Sequence, residues 1–211
     1  MTDFINIDPA TLSVKDAYKL LIGSILPRPI AFVSTISADG ATNVAPFSFF
    51  NGVCTAPPTL LFTTTRRGTD GEKKDTLLNI EATGEFVVNV VTEDIVNQVN
   101  QSSAEYGRQV SEFEATGLTP AQSLKVNPPR VLESPINMEC KLNQIVEIGD
   151  GNVGSGSIVI GTIVQFHYRD DVYEDGKVIT NKLKPVARLA GSNYCPVREA
   201  FEVPRPTVTS V

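Results

Sequence analysis

Apolar and polar side chains alternate along much of this chain, and the period of that alternation predicts most of its elements. Met138, Cys140, Leu142, Val146 and Ile148 alternate with Glu139, Lys141, Asn143 and Glu147. A period of two predicts a strand with one wet face, as an antiparallel sheet or barrel has. Ser157 to Tyr168 reads as a second long strand, with Ile158, Ile160, Thr162, Val164 and Phe166 sharing one side. The glycine-rich Gly149-Asp150-Gly151-Asn152 between them reads as a hairpin. Ile30 to Ile36 and Thr59 to Thr65 are rich in β-branched and aromatic residues and are bounded by Asp39-Gly40 and Pro57-Pro58. Phe86 to Val91 is a further short apolar strand.

The period changes to that of a helix in three places. Ser13-Val14-Lys15-Asp16 has the pattern of a capping box, and Val14, Ala17, Tyr18, Leu21 and Ile22 then fall on one helical face until Pro27-Arg28-Pro29. Asp75 to Thr83 predicts a helix stopped by Gly84. Thr92 to about Tyr106 predicts a more polar helix with Ile95, Val96 and Val99 facing inward. Gly117 to Pro135 carries four prolines and reads as an ordered excursion; Val203 to Val211 reads as a tail that wraps a neighbour or is loose. Strands in a meander with interspersed helices, and no parallel βαβ alternation, predict a mainly β chain rolled into a closed or half-closed barrel.

Composition narrows the chemistry. A chain of 211 residues, 41% hydrophobic, fits one domain over residues 1–211 with a full core. Eighteen basic against 24 acidic residues, a net charge of −6, argue against nucleic acid and anionic membranes as partners. The N-terminal Met1-Thr2-Asp3-Phe4 has no signal-peptide pattern and the apolar runs are strand-sized, so the expected location is cytoplasmic. Three scattered cysteines and one histidine, His167, leave no metal-ligand spacing and no triad. His167 is expected on the surface and Cys140 as an inert thiol on the apolar side of its strand. Asn89, between Val88 and Val90, needs a hydrogen-bond partner, with backbone the expected one.

Two segments could carry chemistry. Arg66, Arg67, Lys73 and Lys74 place four of the 18 basic residues within nine positions, just before the helix that starts near Asp75. Guanidinium donors, the Thr76 hydroxyl and a helix N-terminus together suit a phosphate; a solvated charged loop would have the same composition. Asn43-Val44-Ala45-Pro46-Phe47-Ser48-Phe49-Phe50-Asn51-Gly52 mixes small residues, aromatics and amides without a clean period. That mixture suits a flat heteroaromatic ligand, or else a buried strand followed by a turn at Asn51-Gly52. No Gly-x-Gly-x-x-Gly follows a strand.

In order along the chain, Arg28-Pro29-Ile30-Ala31-Phe32-Val33-Ser34-Thr35, Asn43 to Phe50, Pro57-Pro58, Lys74-Asp75-Thr76, Phe86-Val87-Val88-Asn89, Ser111-Glu112-Phe113-Glu114, Glu133-Ser134-Pro135 and Pro185 to Tyr194 resemble the flavin reductase-like family, the FMN-binding split-barrel group that includes flavoredoxin. The resemblance covers about residues 15–195. It implies a Greek-key-like split β-barrel with a few peripheral helices, and a homodimer with FMN at the subunit interface. It further implies that Arg66, Lys74 and Thr76 hold the phosphate, with Asp75 capping the helix. Ser48, Phe49 and Asn51 would lie along the isoalloxazine and ribityl chain, with Ser34, Thr35 and Ala45 beside them. Arg188 and Tyr194 would approach from the C-terminal part; Ala190 stands where a second glycine is expected, and Arg67 and Lys73 are left unranked. NADH or NADPH is the implied electron donor and a monooxygenase or redox protein the implied partner. The flavin carries the chemistry, so no side chain is assigned a catalytic role. The function expected is that of an enzyme, an NAD(P)H-dependent flavin reductase; the alternatives are an FMN electron carrier and a flavin-binding fold without redox turnover.

Overall fold

The computed structural model describes residues 3–207. Helix α1 (Val14–Ser24) is followed by strands β1 (Ala31–Ile36), β2 (Thr42–Phe47), β3 (Phe50–Thr55) and β4 (Pro58–Thr65). Helix α2 (Asp75–Thr83), strand β5 (Glu85–Val90) and two short helices, α3 (Val96–Gln101) and α4 (Glu112–Thr116), come next. A two-residue ladder of β6 (Pro120–Ala121) with β7 (Arg130–Val131) fastens the proline-rich excursion, which is ordered as expected. The long pair β8 (Ile136–Ile148) and β9 (Gly156–Tyr168) then leads to β10 (Tyr173–Glu174), β11 (Lys177–Val178), α5 (Thr180–Leu183), β12 (Val186–Arg188) and β13 (Tyr194–Pro196).

Seven strands form one antiparallel sheet in the order β2-β1-β5-β8-β9-β4-β3. Its two edges, β2 and β3, are separated in sequence by Ser48 and Phe49 alone. Laid flat, edges six strand spacings apart would stand ~29 Å from each other. The three peptide steps from Phe47 to Phe50 reach at most ~11 Å. The sheet is therefore rolled until its edges meet, and the Phe49 carbonyl accepts from the Thr63 N–H at 2.8 Å near that seam.

Alternate residues of the rolled sheet face two different cores. Ala31 and Val33 of β1 point inward with Phe47, Leu60, Phe62, Phe86, Val88, Cys140 and Val159, and α2 adds Leu77 and Ile80. Phe32 points outward into a second cluster with Val44, Ile95, Val99, Phe113 and Val131. Burial on both sides explains why β1 shows no polar face. Inside, the Phe47, Phe62 and Phe86 rings contact in series at 5.1 and 5.5 Å between centroids. Gly161 faces Phe86 so closely that a Cβ would lie 2.3 Å from Phe86 Cζ. Cys140 is fully buried and its thiol is pushed far above the ordinary range, mainly by burial, so it is inert as expected.

Several local expectations hold. Ser13 Oγ accepts the Asp16 N–H at 3.1 Å, α2 stops at Gly84 with φ 69°, and Gly149 and Gly151 turn the β8–β9 connection with positive φ. Asn89 is paired within the protein: its amide donates to the Phe32 carbonyl at 2.9 Å, and its carbonyl accepts the Val131 N–H at 2.9 Å. Of the tail, residues up to Thr207 are described and are exposed without regular structure; 208–211 lie outside the described residues.

Others are corrected. The helix expected over Thr92–Tyr106 is confined to Val96–Gln101, because the Ser102 and Ser103 hydroxyls fold back onto the Val99 and Asn100 carbonyls, as such side chains do at helix ends. Asn51-Gly52 is no turn but lies inside β3; the break falls at Ser48-Phe49. Of the apolar face of α1 only Ile22 is buried. The wet face of β8 fails at Glu139, which is 0% exposed. A register shift between Glu139 and Cys140 buries both in succession. His167, expected on the surface, has a side chain only 16% exposed, and its Nε2 lies 2.5 Å from Glu139 Oε1.

Glu139 accepts the N–H groups of Leu124 at 2.7 Å, Lys125 at 2.5 Å and Val126 at 3.2 Å. Burial alone would raise its carboxyl, but the Leu124 and Lys125 amides and the His167 ring outweigh burial and hold it below the ordinary carboxylate value. A depressed folded-state value stabilises the fold above the unfolded-state value and ceases to do so as pH falls through the folded one. Glu139→Gln, which cannot accept from all four donors, should lose about 1–3 kcal/mol at pH 7. The gap to the unsubstituted protein should narrow below pH ~4. Urea midpoints across that range check it; a gap independent of pH would refute the carboxylate's role.

Candidate functional site

The inward face of β1 and β2 changes character along its length. Ala31, Val33, Ala45 and Phe47 are apolar, but Thr35 and its cross-strand partner Asn43 turn the face polar where α2 crosses it. Thr76 donates its hydroxyl to Asn43 Oδ1 at 2.8 Å, and Asn79 donates to Thr35 Oγ1 at 3.0 Å. The Asn43 amide nitrogen is held by both Glu112 oxygens at 2.9 and 3.0 Å, and Glu112 also accepts the Val44 N–H at 3.1 Å. Burial pushes the Glu112 carboxyl up, against these donors. This network fixes the first turn of α2 over β2, and its hub, Asn43, was not among the residues assigned from the sequence. A lone amide at an inward position of the strand was the available signal.

A cleft opens where α2 begins. Asn43, Ala45 and Pro46 of β2 form one wall, Arg67, Lys74, Asp75 and Thr76 another, and the turn Ser102–Tyr106 the third. No side chain caps α2: Lys74 occupies the capping position, and Asp75 is the first helical residue, 3.9 Å from Arg108 Nε. The expected capping role of Asp75 is therefore corrected, although a carboxylate in the first turn still suits the helix dipole. The Lys74 ammonium lies 5.6 Å from the Phe47 ring centroid and forms no ion pair among the described residues. Burial pulls it below the ordinary lysine value; the Glu105 charge opposes that shift and the Arg67 charge adds to it.

The basic segment divides between two faces. Arg67 and Lys74 line the cleft. Arg66 and Lys73 instead turn to Glu147, at 3.9 and 3.6 Å, and Lys73 also pairs with Glu81. Arg66 Nε is buried without a hydrogen-bond partner, as is Thr64 Oγ1 two residues earlier on the same side of β4. Thr76 is buried and its hydroxyl is committed to Asn43, which leaves its backbone N–H as the group it can offer a ligand.

The remaining assigned residues are spread further. Ser34 and Thr35 are 0% exposed; Ser34 donates to the Pro129 carbonyl at 2.5 Å and Thr35 belongs to the Asn43 network, so neither hydroxyl reaches the cleft. Ser48 and Phe49 form the seam of the sheet, where Ser48 Oγ accepts from Arg28 Nε at 3.3 Å and the Arg28 guanidinium lies 6.0 Å from the Phe49 ring centroid. Asn51 is exposed and its carbonyl is turned back onto the Gly52 N–H. Arg188 stacks on Tyr194 at 4.5 Å and donates to the Gly191 carbonyl. Gly191 has φ 60°, so it is the glycine that turn requires, and Ala190 is accommodated beside it. Arg28, unassigned from the sequence, is buried and ties the seam to α1 and to the C-terminal part through the carbonyls of Ile22, Ile25 and Leu189.

Known proteins share this architecture. The model of the flavin reductase like domain matches residues 22–191. An uncharacterized protein of Halalkalibacterium halodurans is 45% identical over 204 residues, 96% of this chain and 97% of its own length. Nitrilotriacetate monooxygenase component B from Bacillus cereus superposes with a TM-score of 0.91 at 39% identity, over 96% of this chain and 100% of that one. The 2-nitrobenzoate 2-nitroreductase NbaA of Pseudomonas fluorescens does so with a TM-score of 0.87 at 31% identity, over 98% and 99%. Since the domain match takes in the whole rolled sheet, its seam and the start of α2, the chain belongs to the flavin reductase-like family of flavin oxidoreductases and has its split-barrel fold.

Proposed function

We propose that the chain works as one unit that binds FMN with its phosphate at the start of α2, and that NADH or NADPH reduces the flavin there. The observation that carries this reading is Lys74, a half-buried ammonium without a carboxylate partner, beside helix amides that no side chain caps. Arg67 on the same wall adds guanidinium donors that an oxyanion could satisfy, whereas Arg66 is turned to Glu147 outside the cleft. The donor set thus fits a phosphate ester. Bound FMN would supply the two-electron redox chemistry. For this the protein needs to bind, orient and stabilise developing negative charge rather than provide a nucleophile. Its side chains agree with that division, since His167 is engaged with Glu139 and the Cys140 thiol is held protonated by burial.

The similarity to a monooxygenase component supports a partner oxygenase as recipient of the reduced flavin. No helix among the described residues is long and apolar enough to cross a membrane, and the cytoplasm is the proposed location. A second copy of the chain is the proposed cover for α1, whose Val14, Tyr18 and Leu21 are about half exposed on one face.

Three outcomes check this reading. Charged hydrogen bonds are worth about 1.5–3 kcal/mol, so Lys74→Ala should weaken FMN roughly ten- to a hundredfold in fluorescence-quenching titrations. Riboflavin affinity should stay unchanged; equal losses for both flavins would make Lys74 a support of the fold only. Anaerobic mixing of the FMN-loaded protein with NADH and with NADPH should bleach the flavin with at least one of them. Flavin that survives gel filtration and is reduced by neither would establish the electron-carrier reading instead. Light scattering should give twice the 22.8 kDa chain mass; a single-chain mass at micromolar concentration refutes the second copy.

A further inference from the structure

The wall of the cleft facing Lys74 carries a charge of the wrong sign for a phosphate. Glu105 lines the cleft together with Arg67, Lys74 and Asp75. Asp75 faces Arg108, and Glu112 is buried with both oxygens committed to Asn43 and Val44. Glu105 has no cation within ion-pair distance among the described residues, and its side-chain partner is the Thr69 hydroxyl at 3.0 Å. That bond ties the turn after Arg67 to the turn that carries Glu105.

Both turns are internally fastened, so the bridge holds the carboxylate in place. On the Thr69 side, Gly71 N–H donates to the Arg67 carbonyl at 3.0 Å, Arg67 N–H donates to the Glu72 carbonyl at 2.9 Å, and Arg67 Nε donates to Asp70 at 3.2 Å. On the Glu105 side, Ala104 N–H donates to the Gln101 carbonyl at 3.1 Å, and the Ser102 and Ser103 hydroxyls close the preceding turn. A carboxylate positioned across from the intended phosphate contacts attracts Lys74 and repels a dianion.

We propose that Glu105 is a built-in counter-charge that weakens the hold of the cleft on the FMN phosphate and keeps the flavin exchangeable. The proposal rests on the phosphate reading of this cleft. The influence of Glu105 on the basicity of Lys74 agrees with the two groups being within Coulombic reach. A flavin that leaves at about ten per second after arriving at about 10⁶ per molar per second has a dissociation constant near ten micromolar. Two cations and a helix terminus with no opposing charge would hold the phosphate more tightly and slow that exchange.

Glu105→Gln separates charge from shape, because its amide oxygen still accepts from Thr69. Removing one unit charge from beside a dianion at an exposed site should tighten FMN about tenfold at low salt and slow its release to a similar degree. Riboflavin affinity should not move, and at 1 M salt, where charges are screened beyond ~3 Å, the gain should vanish. Titration of both flavins with the unsubstituted protein and the variant, at 10 mM and 1 M salt, reads all of this. FMN affinity unchanged or weakened at low salt, or a gain shared by riboflavin, overturns the counter-charge. If the unsubstituted protein does not prefer FMN to riboflavin, the phosphate reading fails and the counter-charge with it. A preference for FMN that Glu105→Gln leaves unaltered overturns the counter-charge alone.

Discussion

Two residues, Ser48 and Phe49, connect the two edge strands of a seven-stranded antiparallel sheet. So short a link forces the sheet to roll, and a rolled sheet needs an interior. Phe47, Phe62 and Phe86 fill it in series, and Gly161 gives Phe86 the space a methyl group would take. Leu77 and Ile80 bring α2 onto the same interior. The N-terminus of that helix is thereby carried to the polar end of β2, where the cleft lies. Arg28, buried behind the seam and bonded to Ser48 and three carbonyls, fixes the link from its other side.

The polar groups that the roll buries are almost all satisfied, and the pattern of their satisfaction separates scaffold from site. Asn43 joins Thr35, Thr76 and Glu112 beneath the cleft. Asn89 and Asn137 tie the proline-rich excursion to the sheet, and Glu139 gathers three consecutive amides of that excursion. Breaking such a network leaves donors or acceptors stranded in low dielectric, which costs more than the bonds are worth in water. Against that background the unpaired Lys74 stands out, since it is a cationic donor at the start of α2.

The overall charge of −6 and the local chemistry pull in opposite directions. An acidic chain places two cations on a cleft wall, then adds Glu105 opposite them. If the cleft takes the FMN phosphate as proposed, its affinity is the difference between those contributions. Helix dipole and amides supply attraction built into the fold, whereas charges exposed at the surface are screened by salt.

The strands β1, β4, β5, β8 and β9 were legible in the chain itself, because a period of two and β-branched composition are local properties. So were Ser13 as a cap and Gly84 as a stop. What a face meets is not local. Glu139 and His167 read as solvent-facing because the register shift that turns Glu139 under the excursion depends on β9 and on residues 124–126. Arg66 and Arg67 are neighbours of one composition, and only the roll of the sheet sends one toward Glu147 and the other into the cleft. Ser34 and Thr35 carry hydroxyls that suit a ligand, yet packing against Pro129 and α2 consumes them. The sequence by itself determined most of the long strands, the ends of the α2 helix and the clustering of basic residues before it. Tertiary structure alone decided which hydroxyls and charges remain free, because hydrogen-bond partners 33 to 161 residues apart exist only once the sheet has closed.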